Sequence, residues 1–215
     1  MGYQTVYQGG GAEVVEKKSR FIAKVFPVGT EEEAAAILEE VRKQYWDARH
    51  HCWAYSMGEG QVQERFSDDG EPSGTAGKPI LEVIRGQGLH GVMVIVIRYF
   101  GGTLLGTGGL VRAYSRAAKE AILASTVICR ERGFLLNITT DYTGLGKIQY
   151  LLGQRGILPT DSRYTETVEL DVLVSEEEEG RLRKEITEAT SAQAKMTRVR
   201  ECFFAEIDGG RKVLG

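Results

Sequence analysis

The chain lacks any apolar run long enough for a membrane: its longest unbroken one is Val92 to Ile97, against the roughly 20 residues that a bilayer-spanning helix needs. Residues 1–20 have no apolar stretch of the secretory kind. The expectation is a soluble, cytoplasmic protein with no membrane partner. Cysteine is scarce and odd in number: Cys52, Cys129 and Cys202, with no Cys-x-x-Cys spacing. That argues against a disulfide framework and a structural zinc site and leaves reduced thiols. Charge of one sign is not in excess either, since 27 Lys and Arg face 30 Asp and Glu for a net charge of −3. Global charge therefore announces neither nucleic acid nor a membrane surface. Its distribution says more. Residues 1–71 hold 8 basic and 13 acidic side chains, whereas residues 72–132 hold 8 and 3.

Two glycine-dense stretches are present instead, Gly70–Pro79 and Arg98–Gly109. Each runs into a helical pattern. Glycine is costly to order and serves where φ is positive or where another group approaches the backbone; a helix N-terminus adds unsatisfied N–H groups and partial positive charge.

The 215 residues divide into an expected first domain at 1–132, a second at 133–208 and a flexible tail at 209–215. In the first, 14–25 reads as a strand. Thr30 with Glu33 reads as a capping box opening a helix to Tyr45, and 48–56 as a strand. Pro79 fits the first turn of a short helix, 92–99 is an apolar central strand, and 109–125 a long helix. Arg130–Gly133 reads as a charged junction. The second domain shows the order β-α-β-β-α-β, with strands at 134–140, 157–163, 167–174 and 195–207 and helices at 144–154 and 176–190, which is the ferredoxin-like unit. Ser175 and the helix dipole account for the run Glu176 to Glu179 as a solvated helix start.

Neither glycine loop is an ordinary nucleotide motif. A P-loop needs glycine five positions before Gly77 and Ser or Thr after Lys78; the chain has Pro72 and Pro79. The amides of Gly74 to Gly77, with Thr75, form either an anion-binding concavity or a tight loop packed on the sheet, with Lys78 solvated. Gly106-Thr107-Gly108 lacks the third glycine of a dinucleotide turn. Amides from Thr107 to Leu110, with Arg98 and Arg112, can hold a phosphate, or Gly106, Gly108 and Gly109 can merely allow a packed helix entry. His50 and Cys52 share a strand face, with His51 turned away. Their offset of roughly 6–7 Å is long for a nucleophile–base bond, so a buried Cys beside a hydrogen-bonded His is favoured. Asp68, Asp69 and Glu71 can hold a hard cation or cap the loop, and capping is favoured. No metal site and no cofactor is expected.

Four ordered segments, Lys17–Ile22, Asp47–Cys52, Phe66–Pro79 and Arg98–Arg112, resemble the IMPACT family, most closely its bacterial two-domain, YigZ-type members. The resemblance spans nearly all the chain except the last seven residues. It implies an α+β protein whose N-terminal domain has the fold of ribosomal protein S5 domain 2 and is followed by a ferredoxin-like domain; similar folds stand side by side in elongation factor G. Eukaryotic members regulate translation by antagonising activation of a stress kinase. They carry an extra RWD domain with no counterpart in this sequence, so the kinase role is not carried over. The resemblance brings no catalytic set.

The expectation is a non-catalytic, translation-associated regulatory protein that binds RNA, the ribosome or a translation factor through the basic glycine-loop face. Lys78, Arg98, Arg112 and Arg116 would meet phosphates, Gly74, Thr75, Gly77, Gly106, Thr107, Gly108 and Gly109 would supply the loops, and Tyr99 or Phe100 would stack on a base. The rival is an enzyme acting on a small phosphorylated or nucleotide-like substrate at the same loops, with a thiol hydrolase at Cys52 as a third reading.

Overall fold

The structure is a computed structural model describing residues 2–58 and 61–214. Residues Tyr3–Val127 form one compact unit; Ile128 onward, with Gly2, forms the other.

The first unit runs β1 (Tyr3–Gln8), β2 (Gly11–Glu16), β3 (Ser19–Pro27), α1 (Glu31–Gln44), β4 (His50–Met57), β5 (Gln63–Ser67), α2 (Gly77–Gly86), β6 (Val92–Tyr99) and α3 (Gly106–Leu123). Five strands make an antiparallel sheet in the order β2-β3-β6-β4-β5. The apolar run of β6 is explained by its position at the centre, where both faces are covered. Val92, Val94 and Val96 pack with Ile80 and Ile84 of α2 and Tyr114 of α3. Met93, Ile95 and Ile97 join Ala34 and Val41 of α1 on the other side. Along α3 the buried side of Ala113, Ala117, Ala118 and Ala121 is thin enough for the helix to lie close against the sheet. Thr30 caps α1 by accepting from the Glu33 amide at 3.2 Å, while the Glu33 carboxylate reaches back to the Gly29 amide at 2.8 Å, one residue earlier than in a standard capping box.

The expected strand at 14–25 is instead a hairpin. It reverses at Lys17 and Lys18, which have φ of 45° and 67°. Such a two-residue turn normally uses Asn and Gly, and its absence of turn residues hid it. β1 and β5 likewise carry no clear alternation in sequence.

The second unit comprises β7 (Thr126–Thr140, whose first two residues belong to the first unit), α4 (Tyr142–Gln154), β8 (Asp161–Tyr164), β9 (Val168–Ser175), α5 (Glu176–Ala189), β10 (Lys195–Ile207) and β11 (Gly210–Leu214). The sheet order β10-β7-β9-β8, all antiparallel, is the ferredoxin-like arrangement. Leu136, Ile138, Val172, Ile148, Leu182 and Ile186 fill its core between sheet and helices. The charged run Arg130–Gly133 lies inside β7, where Arg132 pairs with Glu201 across to β10 at 2.7 Å.

Two expectations are corrected here. The tail at 210–214 is a strand on β10: Arg211 bonds the Leu173 carbonyl at 2.7 Å and Glu178 at 2.5 Å, and Leu214 packs on Ile128 and Ile207. The start of α5 is only half solvated. Glu178 completes a capping box with Ser175, and Glu179 is 1% exposed between Arg183 and Arg198.

Candidate functional site

The first glycine loop is filled from within. After β5 the chain turns at Asp69 and Gly70, both with positive φ, and delivers the Asp68 carboxylate to the start of α2. That carboxylate accepts from the amides of Gly74 at 2.8 Å, Ala76 at 3.0 Å and Gly77 at 2.8 Å. An internal anion thus occupies the seat that a helix N-terminus offers. Thr75 is buried and its hydroxyl donates to the Pro72 carbonyl at 2.6 Å. A Cβ on Gly77 would lie 2.7 Å from the Ser67 carbonyl carbon, so that glycine answers a packing demand. The expectation that Gly74, Thr75 and Gly77 are offered to an outside anion is corrected accordingly; Lys78 alone of this group is exposed.

The polar residues at 50–71 do converge, around a buried carboxylate. Glu71 Oε1 accepts from Arg98 at 2.6 Å and from the Tyr114 hydroxyl at 2.8 Å, and His50 Nε2 stands 3.9 Å away. His50 Nδ1 lies 2.9 Å from the Asp69 carbonyl, which can only accept, so Nδ1 carries a proton. The Cys52 thiol donates to the Asp68 carbonyl at 3.0 Å and touches the Tyr114 hydroxyl at 3.3 Å. Asp69 accepts from the His51 amide at 2.7 Å and from Arg42 at 3.1 Å. Burial pushes both the Cys52 thiol and the Tyr114 phenol far up, which leaves Cys52 a protonated, poor nucleophile. Asp68, Asp69 and Glu71 are thus engaged by backbone N–H, guanidinium and tyrosine O–H donors, and among the described residues no group of three or more His, Cys, Asp or Glu is placed to hold a metal.

Arg98 belongs to this cluster and not to the surface. It is 6% exposed, its guanidinium lies 5.4 Å from the Phe21 ring centre and 5.6 Å from that of Phe100, and its pairing to Glu71 is internal. The sequence places it at a strand end without showing that its partner is Glu71, 27 residues earlier. Tyr114, inside the long helix expected at 109–125, is a site residue that the sequence reasoning does not single out; the available signal is that a buried tyrosine needs a partner for its hydroxyl.

The second loop is open. Helix α3 begins at Gly106, with φ of +73°, and its N-cap Leu105 supplies no side-chain hydrogen bond. Its first turn holds no acidic residue, and Gly106, Thr107 and Gly108 are exposed. Beside it Gly109, Arg112, Ala113 and Arg116 line a shallow groove of about 220 Å³ with Val14 and Glu16 of β2. Arg112 is exposed and in no ion pair among the described residues, whereas Arg116 is tied to Glu120 at 2.7 Å. Tyr99 is half-buried: its hydroxyl donates to Asp47 at 2.7 Å and Arg20 covers its ring. Phe100, 49% exposed, is the freer ring. No helix among the described residues is long and apolar enough to cross a membrane.

Comparison with known proteins places these loops in a family. Residues 17–122 match the Impact N-terminal domain, and residues 138–193 match a domain of unknown function, DUF1949. The Bacillus subtilis IMPACT family member YvyE is 40% identical over 192 residues, covering 89% of this chain and 88% of its own. Escherichia coli IMPACT family member YigZ is 44% identical over 140 residues, 64% of this chain and 69% of its own. A solved structure described as a hypothetical protein superposes with a TM-score of 0.59 at 32% identity, covering 93% of this chain and 98% of that one. With both domains matched in order and the likeness running nearly end to end, the chain belongs to the IMPACT family.

Proposed function

We propose that the chain is a translation-associated regulatory protein of the cytoplasm whose first unit binds RNA or a ribosomal component at the open second glycine loop. One contrast carries this reading. Of the two glycine helix entries, α2 is closed by the Asp68 carboxylate, while α3 presents exposed first-turn residues whose amides no carboxylate caps among the described residues, Glu16 only lining the groove beside them. A phosphate at α3 would meet aligned backbone N–H groups and the positive end of the helix, with the exposed Arg112 to donate charge-assisted bonds. Arg116, one turn further along α3, adds screened positive charge, Lys78 stands exposed at the start of α2, and Arg98 acts indirectly by holding the end of β6. The link to translation is supported by what the family resemblance implies for its eukaryotic members.

The test is filter binding of ribosomes and structured RNA at about 50 and 200 mM salt, with wild type and Arg112→Glu. The reading expects affinity that falls with salt and drops about ten-fold on charge reversal. Affinity that ignores salt, or that Arg112→Glu leaves unchanged, sinks it.

A further inference from the structure

We infer that one end of the five-stranded sheet, where β6 finishes and β3 and β4 begin, is a docking surface for unpaired RNA, with Trp46 and Phe100 as stacking rings and Lys17, Lys18 and Arg49 as phosphate contacts. The inference rests on the nucleic-acid reading above and narrows it from RNA to a single strand.

Topology gathers these residues from distant parts of the sequence. Arg20 stands opposite Tyr99 and His50 opposite Arg98 in the sheet register. Lys17 and Lys18 just before β3, Arg49 just before β4 and Phe100 just after β6 therefore leave the sheet together. The Gly101 amide donates to Ser19 Oγ at 3.1 Å, and a Cβ on Gly101 would lie 2.3 Å from the Lys18 carbonyl oxygen, so the lysine turn is pressed against the loop that follows β6. The bond from the Tyr99 hydroxyl to Asp47 brings the segment bearing Trp46 to the same end.

The chemistry suits a strand of unpaired nucleotides. Trp46 is 82% exposed and Phe100 49%. Lys17, Lys18 and Arg49 are exposed, and none is in an ion pair among the described residues. Of the nearby acids, Glu13 is bound to Arg20 at 2.9 Å and Asp47 accepts from Tyr99 at 2.7 Å, leaving Glu16 as the exposed exception. Lys17 and Lys18 also hold left-handed φ values of 45° and 67° in a turn that Asn-Gly would relax. The turn also sets two like charges side by side, a repulsion that a phosphate backbone would offset. Bases inside a duplex have both faces covered, whereas unpaired bases are free to stack on protein rings.

The experiment is an anisotropy titration with a labelled oligouridylate of about ten nucleotides and a blunt RNA duplex of equal charge, over a range of salt. The proteins compared are wild type, Trp46→Ala, the double variant Lys17→Asn/Lys18→Gly, and Arg112→Glu. Wild type should prefer the single strand by about ten-fold, and Trp46→Ala should lose about ten-fold of that affinity with no change in salt slope, because stacking releases no counterions. The double variant should lower the log–log salt slope by about 1.4, from two contacts of about 0.7 each, while melting at a higher temperature than wild type, which separates lost contact from lost fold. If Trp46→Ala and the double variant bind as wild type does while Arg112→Glu is weakened, this surface is not the site and the broader reading survives. Equal affinity for the duplex overturns the single-strand assignment. Absence of RNA binding by wild type removes both.

Discussion

Arg98 holds Glu71 by a buried bond of 2.6 Å, the two side chains being 7% and 3% exposed. Removing one member of such a pair leaves an uncompensated buried charge, a cost of about 3–5 kcal/mol, whereas replacing both is often near neutral. Arg98→Ala should therefore lower the urea-unfolding free energy of the first unit by about 3 kcal/mol or more. Arg98→Met combined with Glu71→Gln should recover most of the loss, because Gln still accepts from the Tyr114 hydroxyl now 2.8 Å from Glu71. A single variant no less stable than the double would show that the cluster is not a charge pair in a low-dielectric site. The chemistry of these residues was legible as types: Asp68, Asp69, Glu71, His50 and Cys52 were all visible as a polar set. Their partners were not, because Arg98 and Tyr114 reach Glu71 across 27 and 43 residues, and no local spacing encodes that distance.

At the level of elements, the two glycine entries look alike in sequence and differ in structure through one carboxylate. Asp68 satisfies three amides at the start of α2. Losing an N-terminal cap costs about 0.5–2 kcal/mol, and more where buried N–H groups are orphaned. Asp68→Ala should then cost about 2 kcal/mol in chemical denaturation, with Asp68→Asn intermediate; no loss in either would mean that the loop is not held by this cap. The β6 strand and the whole β-α-β-β-α-β order could be read from apolar periodicity because burial on one or two faces dictates it directly. The Lys17–Lys18 reversal and β11 could not. The first uses residues that disfavour positive φ, and the second depends on Arg211 finding Glu178 and Leu173 far upstream.

The whole molecule comprises two units with separate cores, and they expose different liabilities. In the second unit, hydrogen bonding from Arg198 holds the Glu179 carboxyl below its usual range against an opposing effect of burial. For Glu178, burial raises the pKa, but Arg211 and the Ser175 amide outweigh it and the net direction is down. A carboxylate depressed in the folded state adds stability above its unfolded pKa of about 4.3 and gives it up as pH falls through the folded value. The urea midpoint of the second unit should thus fall on acidification below about pH 4.3, and Glu179→Gln should flatten that fall; an equally steep fall in the variant would contradict the assignment. In the first unit two glycine loops begin helices within the same basic stretch, one sealed by Asp68 and one open, and the proposed function rests on that contrast. Amide chemical shifts during an RNA titration test that contrast most directly. Thr107, Gly108, Gly109 and Leu110 are expected to shift with saturation while Gly74, Ala76 and Gly77 stay in place; movement confined to the first loop, or none at α3, would contradict the account.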